Sequence, residues 1–140
     1  MDKNQLARDS VDKMYSIDYF SQWLGIEREI IEPGRAVLKL KVKKEMLNGF
    51  GILHGGVTYS LADTALAFAA NTYGKLSVPI STTMNYPARA ELGDTLTAEA
   101  KELNLTNKTA LYDVTVKNQD GTVVGIFRGT VYRTSKNILE

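Results

Sequence analysis

The sequence predicts an α+β domain in which an antiparallel sheet wraps around one long apolar helix. Residues 34–44 alternate apolar and charged side chains, which is the period of a strand with one wet face. Residues 56–73 are largely apolar and have helical spacing, and four strand-like segments follow them. A helix this apolar is unsuited to a surface position. Two strands, this helix and four more strands therefore predict a sheet packed on the helix.

The N-terminal part predicts two helices before the first clear strand. Residues 4–15 suit a polar helix, and DYFSQWLG suits a second short helix that stops at Gly25. In GRAVLKLKVKK the two faces of the strand separate by residue type. The apolar face comprises Ala36, Leu38, Leu40 and Val42, and the charged face comprises Lys39, Lys41 and Lys43.

The central helix and the later strands follow from spacing and turn signals. Gly74 is placed to end the helix, and the Asp-Gly pair in NQDGT indicates a hairpin between the last two strands. One helix face carries Val57, Leu61, Ala65 and Phe68. The strand-like segments cover residues 77–87, 94–105, 109–118 and 122–134.

Composition narrows the class of protein. The 140 residues suit a single domain over 1–140, and a net charge of +1 indicates neither nucleic acid nor a membrane as a partner. The chain has no cysteine and one histidine, so we expect no metal site. The polar N-terminus does not resemble a signal peptide, and no apolar run is long enough to cross a bilayer. We expect a cytoplasmic protein.

One acid lies within the apolar helix. Asp63 shares a face with small residues, namely Ser60, Ala67 and Ala70. It could be a solvated helix residue or a local cap, but aspartate is a poor residue two turns into a helix. The alternative is a carboxylate held in a cleft for chemistry, with a pKa set by its surroundings.

The helix is expected to begin at His54-Gly55-Gly56. Free N–H groups at a helix N-terminus can bind an anion or a developing oxyanion, and glycine allows close approach. The alternative is a loop that needs unusual backbone angles. We interpret His54 as a structural hydrogen-bonding residue rather than a proton shuttle.

The spacing of these residues bears on quaternary structure. Gly55 and Asp63 are eight residues apart, which is about 12 Å along one helix. One carbonyl cannot contact both, so a site that uses both residues must take them from two subunits. This reasoning predicts at least a homodimer with active sites at the interface.

Common catalytic motifs are absent from the sequence. There is no phosphate-binding P-loop, no Gly-x-Gly-x-x-Gly and no Gly-x-Ser-x-Gly, and Ser60 lacks a second histidine to serve it. A basic recognition helix for DNA is not evident either.

The stretch LNGFGILHGGVTYSLADTALAFAANTYG resembles the signature of hotdog-fold acyl-CoA thioesterases, and more narrowly the phenylacetic acid degradation (PaaI/PaaD) family. The resemblance continues in STTMNYPARAELGDTLTAEA and TALYDVTVKNQDGTVVGIFRGTVYR and covers roughly residues 20–134. It implies a hotdog fold, six antiparallel strands around one helix, in dimers that pair into homotetramers. It also implies an acyl-CoA substrate, hydrolysed to the free acid and CoA without a further cofactor.

The resemblance also implies roles for individual residues. Asp63 would attack the thioester or activate a water, and the N–H of Gly55 from the facing subunit would polarise the carbonyl. Asn48 would position the carbonyl or the water, Thr64 would help hold the water, and His54 would shape the site. The implied substrate-binding residues are Gly56, Tyr59, Ser81, Thr83, Arg89, Asn107, Lys108 and Thr109, of which Arg89 and Lys108 would meet the CoA phosphates.

The chain departs from the family pattern at two places. Phe50 stands where relatives often have a small or polar residue, and Tyr86-Pro87 replaces a more usual Phe-Leu-Arg-Pro. These departures bear on the acyl group, so an aryl or phenylacetyl substrate is an expectation. A hotdog hydratase and a non-catalytic acyl-CoA binder remain alternatives.

Overall fold

The computed structural model describes all residues, 1–140. Three helices and six strands account for most of the chain. The helices are α1 (Lys3–Ser16), α2 (Tyr19–Leu24) and α3 (Gly55–Asn71), with a 3-10 turn at Lys44–Met46. The strands are β1 (Glu27–Glu32), β2 (Arg35–Lys41), β3 (Lys75–Asn85), β4 (Thr95–Leu105), β5 (Thr109–Lys117) and β6 (Val123–Asn137).

The strands form one antiparallel sheet in the order β1-β2-β4-β5-β6-β3. Helix α3 contacts strands from one edge of this sheet to the other, because the sheet curves around it. The predicted hotdog arrangement is therefore confirmed. Strands β1 and β3 lie at the edges, and the backbone of β3 is open along one side.

The pattern of the sequence accounts for the core. The apolar face of β2 is buried as predicted, whereas Lys41 and Lys43 are exposed and Lys39 is partly so. On α3, Leu61, Ala65 and Phe68 are buried in the centre of the molecule. On the small-residue face, Ala70 is buried while Ser60, Asp63 and Ala67 stay half-buried.

The N-terminal helices pack on the open side of α3. The ring of Tyr15 lies edge-on to Phe68 at 6.2 Å between centroids, and its hydroxyl donates to the carbonyl oxygen of Ile26 at 2.8 Å. Gly25 ends α2 in the left-handed conformation, at φ 78°, as the sequence predicts. Helices α1 and α2 therefore belong to the domain.

Helix α3 ends two residues earlier than predicted. The helix stops at Asn71, and Gly74 takes its left-handed conformation three residues later. Asn71 ends it because the side-chain amide bonds back to Ala67 and forward to Ser77. No helix of the structure combines the length and the apolar character that spanning a bilayer requires.

Candidate active site

His54 caps the N-terminus of α3. Its Nδ1 accepts a hydrogen bond from the N–H of Gly56 at 2.8 Å, so Nδ1 carries no proton and acts as an acceptor. The cap satisfies Gly56, but the N–H of Gly55 finds no acceptor in the chain. The first helical residue therefore presents a free donor at the positive end of a 17-residue helix.

Asn48 organises the loop that leads to this helix. Its side-chain Oδ1 accepts from the N–H of Phe50 at 2.9 Å and from that of Ile52 at 3.4 Å. The main chain of Asn48 also bonds with Ile52, through an N–H to carbonyl contact of 2.8 Å. Because the carbonyl oxygen of the amide is occupied, its Nδ2 remains as the free donor of this side chain.

Asn48 and Gly55 line one cavity of about 440 Å³. Tyr86 closes it on one side, where its hydroxyl donates to the carbonyl oxygen of Gly55 at 3.2 Å. A Cβ at Gly55 would lie 3.3 Å from the Tyr86 ring, so glycine lets the ring approach the helix end. Arg89 lines the same cavity and is paired with Glu91 at 3.3 Å.

Asp63 lies two turns further along α3 and has a different environment. It is half-buried, and no cation or hydrogen-bond donor of the chain contacts its carboxylate. Burial raises the pKa of Asp63 above the ordinary value, because desolvation disfavours the ionised form. An unpaired carboxylate with a raised pKa is a better base and a better nucleophile than a solvated one.

The cavity at Asp63 is separate from the cavity at Gly55. It measures about 270 Å³, and none of its lining residues is shared with the other cavity. Buried Thr64 lies beside the acid, and Tyr59 forms part of the wall. Within one chain the structure thus keeps the acid and the free N–H apart, as the helix geometry requires.

Two expected pocket residues lie elsewhere. Ser81 and Thr83 are exposed on β3 and face away from α3, whereas the alternate residue Thr82 faces it and bonds to the hydroxyl of Tyr59. The structure therefore does not bring Ser81 or Thr83 to Tyr59 within one chain. Their contribution to substrate binding stays a prediction for the edge where β3 is open.

Lys108 and Asn107 line a third cavity, of about 200 Å³, together with Lys75 and Arg133. The structure does not place Arg89 there. Arg133 donates to the carbonyl oxygen of Thr106 at 2.6 Å, and its Nε is buried without a partner.

Three cations around one cavity make it a candidate for phosphate groups. Sequence reasoning missed Lys75 and Arg133, because they come from strands distant from Lys108 along the chain. Thr109 uses its hydroxyl and its N–H to close the local turn with Thr106.

The edge strand β3 carries exposed apolar side chains. Leu76, Val78 and Ile80 are exposed to 38%, 44% and 61%. An open edge of eleven residues with apolar side chains is a template for pairing with another strand.

Comparison with known proteins identifies relatives that cover most of the chain. Residues 50–125 match the model of the thioesterase superfamily. The acyl-coenzyme A thioesterase PaaI of Escherichia coli K12 is 38% identical over 132 residues, which cover 94% of each chain.

Solved structures agree with the sequence comparison. That of E. coli PaaI, from the phenylacetic acid degradation operon, superposes with a TM-score of 0.95 at 34% identity, over 97% of this chain and 99% of that one. That of smu.793 of Streptococcus mutans, bound to acetyl CoA, has a TM-score of 0.77 at 28% identity, over 80% of this chain and 90% of that one.

Proposed function

The chain belongs to the thioesterase superfamily and is a hotdog-fold acyl-CoA thioesterase, and we propose that it hydrolyses its substrate at a site shared by two subunits. Such hydrolysis needs a donor for the oxyanion and a base or nucleophile. One observation carries the proposal: the free N–H of Gly55 and the unpaired carboxylate of Asp63 line two separate cavities of the same chain. No cofactor enters the proposed reaction beyond the CoA of the substrate.

Gly55 supplies the oxyanion donor in this proposal. When the thioester carbonyl carbon becomes tetrahedral, negative charge develops on its oxygen, and the Gly55 N–H and the helix dipole stabilise it. The donor is in place before the reaction, because the His54 cap and the Tyr86 contact hold the helix end. The free Nδ2 of Asn48, in the same cavity, acts as a second donor to the carbonyl or the water.

Asp63 supplies the base or nucleophile. As a nucleophile, its carboxylate oxygen bonds to the acyl carbon while the C–S bond breaks, and water then cleaves the anhydride. As a base, it takes a proton from a water that attacks the carbon, with Thr64 helping to hold that water. In both routes the CoA thiolate leaves and is protonated. A rapid quench followed by mass spectrometry of the protein separates them, because only the nucleophilic route adds the mass of the acyl group to Asp63.

Two subunits are needed to bring these groups together. Asp63 and Gly55 line different cavities of one chain, while the apolar edge of β3 offers a surface on which a second copy can pair. A homodimer with a continuous sheet across β3 is the proposed unit, and pairing of two dimers gives the proposed homotetramer.

The substrate is an acyl-CoA, and we place its parts by charge and polarity. The cations of the third cavity, Lys75, Lys108 and Arg133, suit the phosphates of the nucleotide. Arg89 lies beside Gly55, where it suits a phosphate nearer the thioester arm. For the acyl group we propose an aryl or phenylacetyl type, because aromatic side chains line the cavity of Asp63.

The direct test replaces the acid by its amide. Asp63→Asn keeps the shape of the side chain and removes the charge, so we expect thiol release from phenylacetyl-CoA to fall by about 10²–10⁴. Asp12→Asn is the matched control, because Asp12 is an exposed helical acid of α1 that pairs with Arg28. Turnover of folded Asp63→Asn near the wild-type rate would exclude the proposed role.

A further inference from the structure

The wall of the Asp63 cavity has two sources. Helix α3 contributes the acid and its neighbours along one face. The opposite wall comes from the N-terminal helices, through four side chains of α1, α2 and the turn between them. They are Met14, Asp18, Phe20 and Ser21.

Helix α2 is tied to α3 beside the acid. Asp18 caps α2 by accepting from the N–H of Ser21 at 3.0 Å and from its hydroxyl at 2.7 Å. The buried Ser21 hydroxyl in turn lies 3.4 Å from that of Thr64. Phe20 lies between Asp18 and Ser21 in sequence and lines the cavity. Its side chain is half-exposed, and its ring lies 6.2 Å from the Trp23 ring.

We propose that Phe20 and Met14 form the far wall of the acyl pocket and determine which acyl groups this thioesterase accepts. The inference rests on the proposed function, because it assumes that Asp63 acts on the thioester carbon. If the carbon lies at Asp63, the acyl group continues into the cavity that the carboxylate lines. The wall it meets there is built by α1 and α2.

The size and charge of the cavity select among acyl groups. A cavity of about 150 Å³ holds benzene, so the 270 Å³ here accommodates one ring with its linker. A long alkyl chain would collide with Phe20 or Met14. Asp18 and Asp63 are the only charged residues of the lining, so a carboxylated acyl group such as succinyl would be repelled. The pocket therefore selects a compact, uncharged acyl group.

The experiment compares Phe20→Ala with Tyr19→Ala. Tyr19 is an exposed aromatic of the same helix that does not line the cavity, so it controls for loss of an aromatic residue on α2. Thiol release is measured with phenylacetyl-CoA, decanoyl-CoA, succinyl-CoA and the shortest straight-chain acyl-CoA that the wild type hydrolyses. The shortest substrate does not reach the far wall and reports on whether the site is intact.

We expect Phe20→Ala to lower kcat/KM for phenylacetyl-CoA by about three- to tenfold, since one aromatic contact is lost. Decanoyl-CoA turnover should rise relative to phenylacetyl-CoA, and turnover of the shortest substrate should stay within about twofold. Phe20→Trp, which narrows the pocket, should change the decanoyl to phenylacetyl ratio in the opposite direction. It serves as a second variant if Phe20→Ala unfolds.

Two outcomes would overturn the proposal. One is an unchanged ratio between substrates in both Phe20 variants. The other is an equal loss for every substrate, which would place the pantetheine arm, not the acyl group, against Phe20. Failure of the proposed function is recognised separately, because Asp63→Asn would then hydrolyse all four substrates at the wild-type rate.

Discussion

Replacing Gly55 by proline removes the backbone N–H that, in the proposed mechanism, stabilises the oxyanion. The position tolerates proline, because Gly55 is the first residue of α3 and proline is favoured there. His54 precedes it at φ −63° and ψ 129°, which is the extended region that a residue before proline prefers. Since the N–H has no acceptor in the chain, its loss breaks no internal hydrogen bond.

The added Cβ is shared with Gly55→Ala, which therefore controls for its contact with Tyr86. Both variants carry a Cβ at about 3.3 Å from the half-exposed Tyr86 ring, but alanine keeps the N–H. Loss of one oxyanion donor costs about 10²–10³ in kcat, or about 2.7–4 kcal/mol. We therefore expect Gly55→Pro to be slower than Gly55→Ala by this factor.

The assay is thiol release from phenylacetyl-CoA, with thermal melting of both variants to confirm the fold. Gly55→Pro and Gly55→Ala should melt within a few degrees of each other, since the free energy of unfolding changes little. Equal kcat values in two folded variants would refute the assignment of the Gly55 N–H to the oxyanion.

Three further predictions follow from other residues of the structure. His54→Asn should retain activity because asparagine also caps a helix, whereas His54→Ala should lose about 0.5–2 kcal/mol of stability by urea unfolding; inactive, folded His54→Asn would instead indicate proton transfer. Because burial raises the pKa of Asp63, kcat/KM should fall as the pH is lowered through that pKa, and this fall should occur at a higher pH than for an ordinary carboxylate. Because the pKa of Asp63 is higher in the folded than in the unfolded protein, folding favours the protonated carboxyl. This contribution to the free energy of unfolding is complete at pH values below the unfolded-state pKa and is lost as pH rises through the folded-state pKa. Asp63→Asn should thus melt at a higher temperature than wild type at neutral pH and at the same temperature at low pH. Glu102→Ala should lose about 1–3 kcal/mol relative to Glu102→Gln, because Tyr73 and Tyr112 both donate to this carboxylate.

Local patterns in the sequence were sufficient to predict most of the fold. The alternation in β2, the Asp-Gly hairpin and the helical spacing of α3 each depend on neighbours along the chain, and the structure confirms all three. The sequence predicts the end of α3 two residues late, because that end depends on bonds from Asn71 to Ser77 in the next strand. The sequence predicts two strands before α3 but gives bounds for only one of them, because β1, EREIIE, alternates too little to be delimited without its partner β2.

The candidate site was predictable only where its residues form local patterns along the chain. Gly55 and Asp63 stand out locally, one at a helix start and the other as an acid in an apolar helix. The packing of α2 against the acid and the gathering of Lys75, Lys108 and Arg133 involve residues far apart in sequence. Spacing along one chain does not encode such contacts.

Subunit complementation tests the shared site most directly. Gly55→Pro and Asp63→Asn are each expected to give an inactive homodimer, and the two chains are unfolded together in equal amounts and refolded. Random pairing makes about half of the dimers mixed, and each mixed dimer has one site with Gly55 from one chain and Asp63 from the other. The mixture should recover about a quarter of the wild-type thiol release, whereas a site built within one chain predicts no recovery above the separate variants.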